Sequence, residues 1–169
     1  SIDLTPTTEF IGKTNYQGKF DSNLVDFTVP SGRNHAPILF AKGGTDISSG
    51  DPNNLTYSAI PESGKPIVLS PLSTIVTKLV TSKSLTKTAA LQKIKTNLSL
   101  TTNIASLESD PLLNENLETF KSFNRISSFM KSIIELDSST TTDDVVSETC
   151  MQALTNLINN GAVSLTAID

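Results

Sequence analysis

The feature that most constrains this chain is an abrupt change of pattern at Ser70-Pro71. Before this point, short apolar segments alternate with turn residues, and after it apolar residues recur at helical spacing. Ser70 suits the N-cap of a helix, and Pro71 suits the first position, where an N–H is not needed. We therefore predict an α+β fold, with a β-rich part over residues 1–69 and a helical part over 70–169, packed together as one module.

The β-rich part is predicted from apolar segments about ten residues apart, a spacing typical of a small antiparallel sheet or sandwich. The predicted strands are Glu9–Ile11, Leu24–Val29, Pro37–Ala41, Leu55–Ile60 and Pro66–Leu69. Gly43-Gly44 follows the third of them and predicts a turn with positive φ angles.

The helical part is predicted to hold about four helices. The first carries an apolar stripe from Leu72 to Val80, and Leu72, Ile75 and Leu79 are expected to pack against the β-rich part. A second helix is predicted to begin after Ser84 or Thr86. Its expected inward residues are Ala90, Leu91, Ile94 and Leu98.

The two remaining helices are longer. The third is predicted over about Glu115 to Leu136, with Glu115 and Glu118 complementing the dipole in its first turn. Its expected inward residues are Leu117, Phe120, Phe123, Ile126, Met130 and Ile133. The fourth is predicted to begin at 142–144 and to end at Asn160-Gly161. Its expected inward residues are Val146, Cys150, Ala153, Leu154, Leu157 and Ile158.

The composition favours an exposed protein over a nucleic-acid-binding one. Ser and Thr make up 44 of 169 residues, which is typical of exposed or extracellular repeats, although compositional drift in an AT-rich genome gives the same excess. The net charge is −4, so a phosphate-binding face is not expected. The densest basic group is interpreted as a solvated face of two helices; it consists of Lys78, Lys83, Lys87, Lys93 and Lys95. No apolar run approaches the roughly 20 residues of a membrane span, so membrane insertion is not expected either.

Few residues could carry catalysis. His35 is the single histidine and lies in a predicted loop, and Cys150 is the single cysteine and lies on an apolar helix stripe. We interpret His35 as a turn residue and Cys150 as a small buried hydrophobe. An acid–base pair of Asp46 and Glu62 would suit glycoside hydrolysis, but nothing in the spacing places two carboxylates together. We therefore predict that the chain is not an enzyme.

One loop has the oxygen ligands that calcium prefers. The candidates are Asp46, Asp51 and Asn53, with Asn54 beside them. The spacing differs from an EF-hand, and turn formation explains the same residue types. Calcium is the one cofactor that the sequence leaves open.

Two N-glycosylation sequons begin at Asn54 and Asn97, and they matter only in a secretory route.

The chain resembles a module of very large, often marine, bacterial surface and adhesin-like proteins. The resemblance rests on the order of three motifs: Gly43-Gly44-Thr45-Asp46 with Ser49-Gly50, then Ser70-Pro71-Leu72-Ser73-Thr74, then Asp110-Pro111-Leu112. The resemblance implies a prealbumin-like β segment followed by helices, and a structural or adhesive role without catalytic residues. The chain departs from the family near its start, where it lacks an Asp- and Gly-rich stretch that would bind calcium.

Three hypotheses of function follow. The first is a non-enzymatic structural or adhesive module, extracellular or on a cell surface, that acts through protein–protein contacts in an assembly or repeat array. The alternative is a virion component, such as a minor capsid, cementing or fibre protein, suggested by the AT-rich composition. A polysaccharide-active enzyme ranks below both, because the chain has no Trp and only 5% aromatic residues to stack on sugars.

Overall fold

Over the part of the chain that the structure describes, the protein is a small α+β fold in which a two-stranded sheet packs against helices. The computed structural model describes residues 37–45, 50, 53, 55–62, 65, 67–111, 115–136 and 143–161. In chain order, the elements are β1 (Leu39–Lys42), β2 (Thr56–Ala59), α1 (Pro71–Lys83), α2 (Lys87–Asn97), a 3-10 helix (Ile104–Glu108), α3 (Leu117–Leu136) and α4 (Asp143–Asn159). The predicted α+β class, with strands followed by four helices, is confirmed within these ranges.

The sheet is an antiparallel pair in which Phe40 lies opposite Ser58. Two of the predicted strands, Pro37–Ala41 and Leu55–Ile60, are confirmed with slightly different limits. Glu9–Ile11 and Leu24–Val29 lie outside the described residues, so the sandwich arrangement stays a prediction. The strand predicted at Pro66–Leu69 is wrong over residues 67–69, which lead into the α1 cap without pairing to β1 or β2.

The turn after β1 has the predicted conformation. Gly43 and Gly44 have φ angles of 74° and 96°, a region that glycine enters without steric cost. Asn53 closes the loop that follows, because its N–H donates to the Gly44 carbonyl over 3.0 Å and its Oδ1 accepts from Leu55 N over 3.2 Å. This loop returns the chain antiparallel to β1.

The start of α1 confirms the prediction made from Ser70-Pro71. Ser70 is the N-cap and forms a capping box, in which the N–H of Ser73 donates to Ser70 Oγ and the N–H of Ser70 donates to Ser73 Oγ. Pro71 occupies the first turn. The two N–H groups that the cap satisfies would otherwise lie buried without acceptors.

The first turn of α1 also covers the outer edge of β2. The N–H of Ser58 donates to Thr74 Oγ1 over 2.9 Å, and Ser73 Oγ lies 2.8 Å from the Ser58 carbonyl, to which it donates. The N–H and C=O of one strand residue point to the same side, so both groups of Ser58 face away from β1. Helix side chains thereby take the place of a third strand at an edge that would otherwise be open.

The first two turns of α1 are buried, and residues with hydroxyl groups make up part of this buried surface. All seven residues from Pro71 to Thr77 are buried, and Leu72, Ile75 and Leu79 are at most 1% exposed. The hydroxyls of Thr74 and Thr77 donate to the carbonyls four residues earlier, at 2.8 and 2.9 Å. Such local bonds satisfy a buried hydroxyl without a partner from another element.

The ends of the other helices confirm part of the prediction. Thr86 caps α2, whereas Ser84 instead ends α1 in a left-handed conformation with φ 54°. The prediction that Glu115 lies in the first turn of α3 is wrong, since Glu115 precedes the helix with φ 50°. The same prediction for Glu118 is confirmed. Asn116 caps α3 instead, because its Oδ1 accepts from Thr119 N over 3.1 Å.

One apolar core joins α1 to its neighbours. Ala90, Leu91, Ile94 and Leu98 are buried as predicted, and so are Ile126, Met130, Leu154 and Ile158. The inward assignment is wrong for Leu117, Ala153 and Leu157, which are exposed. The core of α4 instead uses Met151 and the buried Thr155, whose hydroxyl donates to the Met151 carbonyl over 2.7 Å.

Among the described residues, α3 is the longest helix, and neither it nor any other combines the length and apolar character needed to cross a bilayer.

Candidate functional site

The most site-like feature of the described chain is a cluster of charges around Lys87. Lys87 begins α2, directly after the Thr86 cap, and its side chain is 20% exposed. Its Nζ lies 2.6 Å from Glu108 Oε1 and 2.8 Å from Glu62 Oε1, and it donates to the Ile60 carbonyl over 3.3 Å. An ammonium has three donors, so these three acceptors use all of them.

The cluster ties three segments together. Glu62 lies in the segment after β2, Lys87 at the start of α2, and Glu108 at the end of the 3-10 helix. Lys65 adds a fourth charge by pairing with Glu62 from three residues along the chain, and its side chain is 66% exposed. The cluster thus links the segment after β2 to the start of α2 and to the 3-10 helix.

The charges of this cluster stabilise one another. Hydrogen bonds from Lys65 and then from Lys87 hold the pKa of Glu62 below its ordinary value. Burial lowers the pKa of Lys87, but the carboxylates of Glu108 and Glu62 outweigh that effect and raise it above its ordinary value. Glu62 is therefore ionised at neutral pH, whereas a general acid for glycoside cleavage needs a raised pKa.

A cleft of about 260 Å³ adjoins the charged cluster. Its apolar lining comes from the end of β2, the segment before α1, the first turns of α1 and the 3-10 helix. These lining residues are Ala59, Ile60, Ile67, Val68, Val76 and Ala105. Glu62, Lys65, Lys87 and Glu108 supply the charge, so the cleft combines an apolar wall with ionic groups.

A second carboxylate, Glu118, has a local structural role. It accepts from the backbone N–H of Thr101 at 2.9 and 3.0 Å and from that of Thr102 at 2.8 Å. Burial raises the pKa of Glu118, but these hydrogen bonds outweigh it and hold the pKa below the ordinary value. Glu118 thus fixes the segment after α2 to the first turn of α3.

Most residues singled out in the sequence are not brought into this site. His35, Asp46, Asp51 and Asn54 lie outside the described residues, so the Asp46–Glu62 pair and most of the calcium loop stay predictions. Asn53 lies in the turn after β1 and is engaged there in backbone hydrogen bonds. Within the described ranges, no three His, Cys, Asp or Glu side chains lie close enough together to hold a metal ion.

Cys150 and Asn97 both lie on helices, and both side chains are partly buried. Cys150 is half-buried on α4, and burial raises the pKa of its thiol, which lowers the thiolate fraction needed for nucleophilic attack. The Nδ2 of Asn97, the atom that N-glycosylation would modify, donates to the Ile158 carbonyl. The Asn97 side chain is thus used to join α2 to α4.

The interpretation of the five lysines as a solvated face is wrong for three of them. Lys78 pairs with Glu148 and is 13% exposed, Lys87 is held in the charged cluster, and Lys93 Nζ donates to the Asn159 carbonyl over 2.8 Å. Lys83 is exposed, as predicted. Lys78, Lys87 and Lys93 thus connect α1 and α2 to other elements.

Sequence reasoning missed Lys87 and Glu108 as members of one site. Their separation of 21 positions, and that of Glu62 and Lys87 by 25, gives no local pattern. The one available signal is the position of Lys87 directly after the helix cap, where a cation is unfavourable beside the helix dipole unless it has acidic partners.

Comparison of the whole chain with family models, curated proteins and solved structures gave no match.

Proposed function

We propose that the protein is a non-enzymatic structural or adhesive module, exposed on a cell surface or particle, that acts through protein–protein contacts in an assembly. The observation that carries this proposal is the surface of α4. Cys150, Ala153 and Leu157 follow one another at i, i+3 and i+7, next to the face that enters the core. Cys150 is half-buried, Ala153 is exposed and Leu157 is 47% exposed.

An apolar stripe of this kind suits contact between proteins. Residues at this spacing lie along one side of a helix, which is how an amphipathic helix presents anchors to a partner surface. The core of α4 uses Met151, Leu154 and Ile158, so the stripe is apolar surface beyond what its own packing requires.

The proposal is tested by measuring association of the full chain with light scattering and sedimentation over a concentration series, and its retention on cells of the source organism. We expect the wild type to self-associate or to bind cells, and Leu157→Ser to weaken this about tenfold, as for loss of an apolar anchor at an interface. Because Leu157 is 47% exposed, the variant should keep its unfolding free energy to within about 1 kcal/mol.

Asn160→Ser is the matched control, since Asn160 is polar, exposed and close to Leu157 along the chain. It should associate like the wild type. The proposal is wrong if the wild type stays monomeric at high concentration and binds neither cells, glycans nor a partner protein. It is also wrong if both variants behave alike.

A further inference from the structure

The apolar stripe of α4 has the spacing that helices use to pair with one another. Cys150, Ala153 and Leu157 lie at i, i+3 and i+7 and so form one seam along the helix. Thr149 borders this seam and is exposed, and Val145, near the start of the helix, is 54% exposed. None of these five residues is charged, and the cores of protein interfaces are depleted of charge.

The seam is suited to contact with a second copy of itself. A two-fold interface uses the same patch on both copies, so the patch must fit itself. Ala153 lies close to the middle of α4, where a small side chain lets two helices approach closely at the axis. The larger side chain of Leu157 lies one turn further along and can pack beside residues 146–150 of an antiparallel copy.

The charges at the two ends of α4 favour an antiparallel over a parallel pair. The helix begins with Asp143 and Asp144, and its one further acidic residue, Glu148, pairs with Lys78. At the other end, Lys93 of α2 donates from Nζ to the carbonyl of the last α4 residue over 2.8 Å. A parallel pair would set two acidic ends side by side, whereas an antiparallel pair sets each acidic end beside the lysine of the other copy.

We propose that two copies of this chain pair through α4 in an antiparallel two-fold arrangement, with Ala153 near the axis and Leu157 of each copy beside Thr149 of the other. This inference rests on the structural function proposed above and names the partner as a second copy. The 17 residues of α4 span about 25 Å, so the interface is smaller than that of permanent dimers. Pairing is therefore expected to depend on concentration.

The test places opposite charges across the seam and measures association of the full chain by sedimentation over a concentration series. Leu157→Glu and Thr149→Lys should each weaken self-association about tenfold, because each puts an unpaired charge into the seam. An equimolar mixture of the two variants should associate about tenfold more tightly than either variant alone, since the antiparallel pair brings Glu and Lys together. Both positions are exposed, so the fold should be kept, and the unfolding midpoint checks this.

A mixture of Leu157→Glu with Leu157→Lys is the matched control, because it carries the same two charges. In the antiparallel pair, the two 157 positions lie about 12 Å apart along the helices, so the charges do not meet. This mixture should associate no more tightly than either of its variants alone.

The proposal is overturned if the control mixture recovers association and the first mixture does not, since that result indicates a parallel pair. It is also overturned if the wild type self-associates but neither mixture recovers association, or if the wild type stays monomeric. In the monomeric case, weaker retention of Leu157→Ser on cells would still support the structural function, with a partner other than a second copy.

Discussion

The contact between α1 and β2 can be tested with two substitutions of the same kind. Thr74 and Thr77 lie on α1 and are 3% and 4% exposed. Both hydroxyls donate to a carbonyl four residues earlier in the helix. The Thr74 hydroxyl also accepts from the backbone N–H of Ser58, whereas Thr77 makes no comparable contact with β2 among the described residues.

Replacement by Val keeps the shape and the β-branched side chain, so neither variant leaves a cavity, and the change in χ1 freedom in the helix is common to both. In Thr74→Val, the N–H of Ser58 is left buried without an acceptor, which costs about 1–3 kcal/mol. In Thr77→Val, no N–H loses its acceptor, and the carbonyl of Ser73 still accepts the backbone N–H of the residue four positions later. We expect that variant to lose about 0.5 kcal/mol or less.

The assay is urea unfolding of both variants, with the difference in midpoint taken at a constant slope. Amide exchange at Ser58 should be faster in Thr74→Val than in Thr77→Val, because the first variant alone frees that N–H. Equal losses in both variants, with equal exchange at Ser58, would refute the conclusion that α1 replaces a strand at the edge of β2.

Two further predictions concern stability. Thr119 Oγ1 is the one buried side-chain oxygen or nitrogen without a partner in the described part of the chain, so Thr119→Val should be neutral or should stabilise by up to about 1 kcal/mol in the same unfolding assay. Glu118→Gln replaces an acceptor of two backbone N–H groups and should cost about 1 kcal/mol at pH 7. Because the folded pKa of Glu118 is lowered, its contribution is full above the unfolded value of about 4.3 and is lost as the pH falls through the folded value. The unfolding free energies of wild type and Glu118→Gln should thus converge as the pH falls below about 4.3, and a constant difference would contradict the assigned role.

The helices could be predicted where the sequence carries local signals. Ser70-Pro71 and Thr86 fix the starts of α1 and α2, and the stripe from Leu72 to Leu79 enters the core as expected. These features depend on residues within one or two turns of each other, so a single sequence contains them. The predicted strand at Pro66–Leu69 is wrong over residues 67–69, because extended apolar residues resemble a strand even when they only lead to a helix cap.

The parts that could not be predicted depend on distant contacts. The apolar arc of α4 is wider than the surface that its neighbours cover, and the pattern alone does not indicate that Leu154 enters the core while Leu157 stays exposed. The cluster around Lys87 depends on charges from three separate segments. The pairing of Ser73 and Thr74 with the edge of β2 could not be inferred either, since Ser and Thr are abundant throughout the chain.

The proposed role as a structural module in an assembly is best tested on material from the natural source. Intact mass combined with light scattering would give both the length of the polypeptide that contains this chain and its state of association. We expect the 18.1 kDa sequence to be found within a larger polypeptide or an ordered assembly. A free 18.1 kDa monomer, without a stable partner, would contradict it.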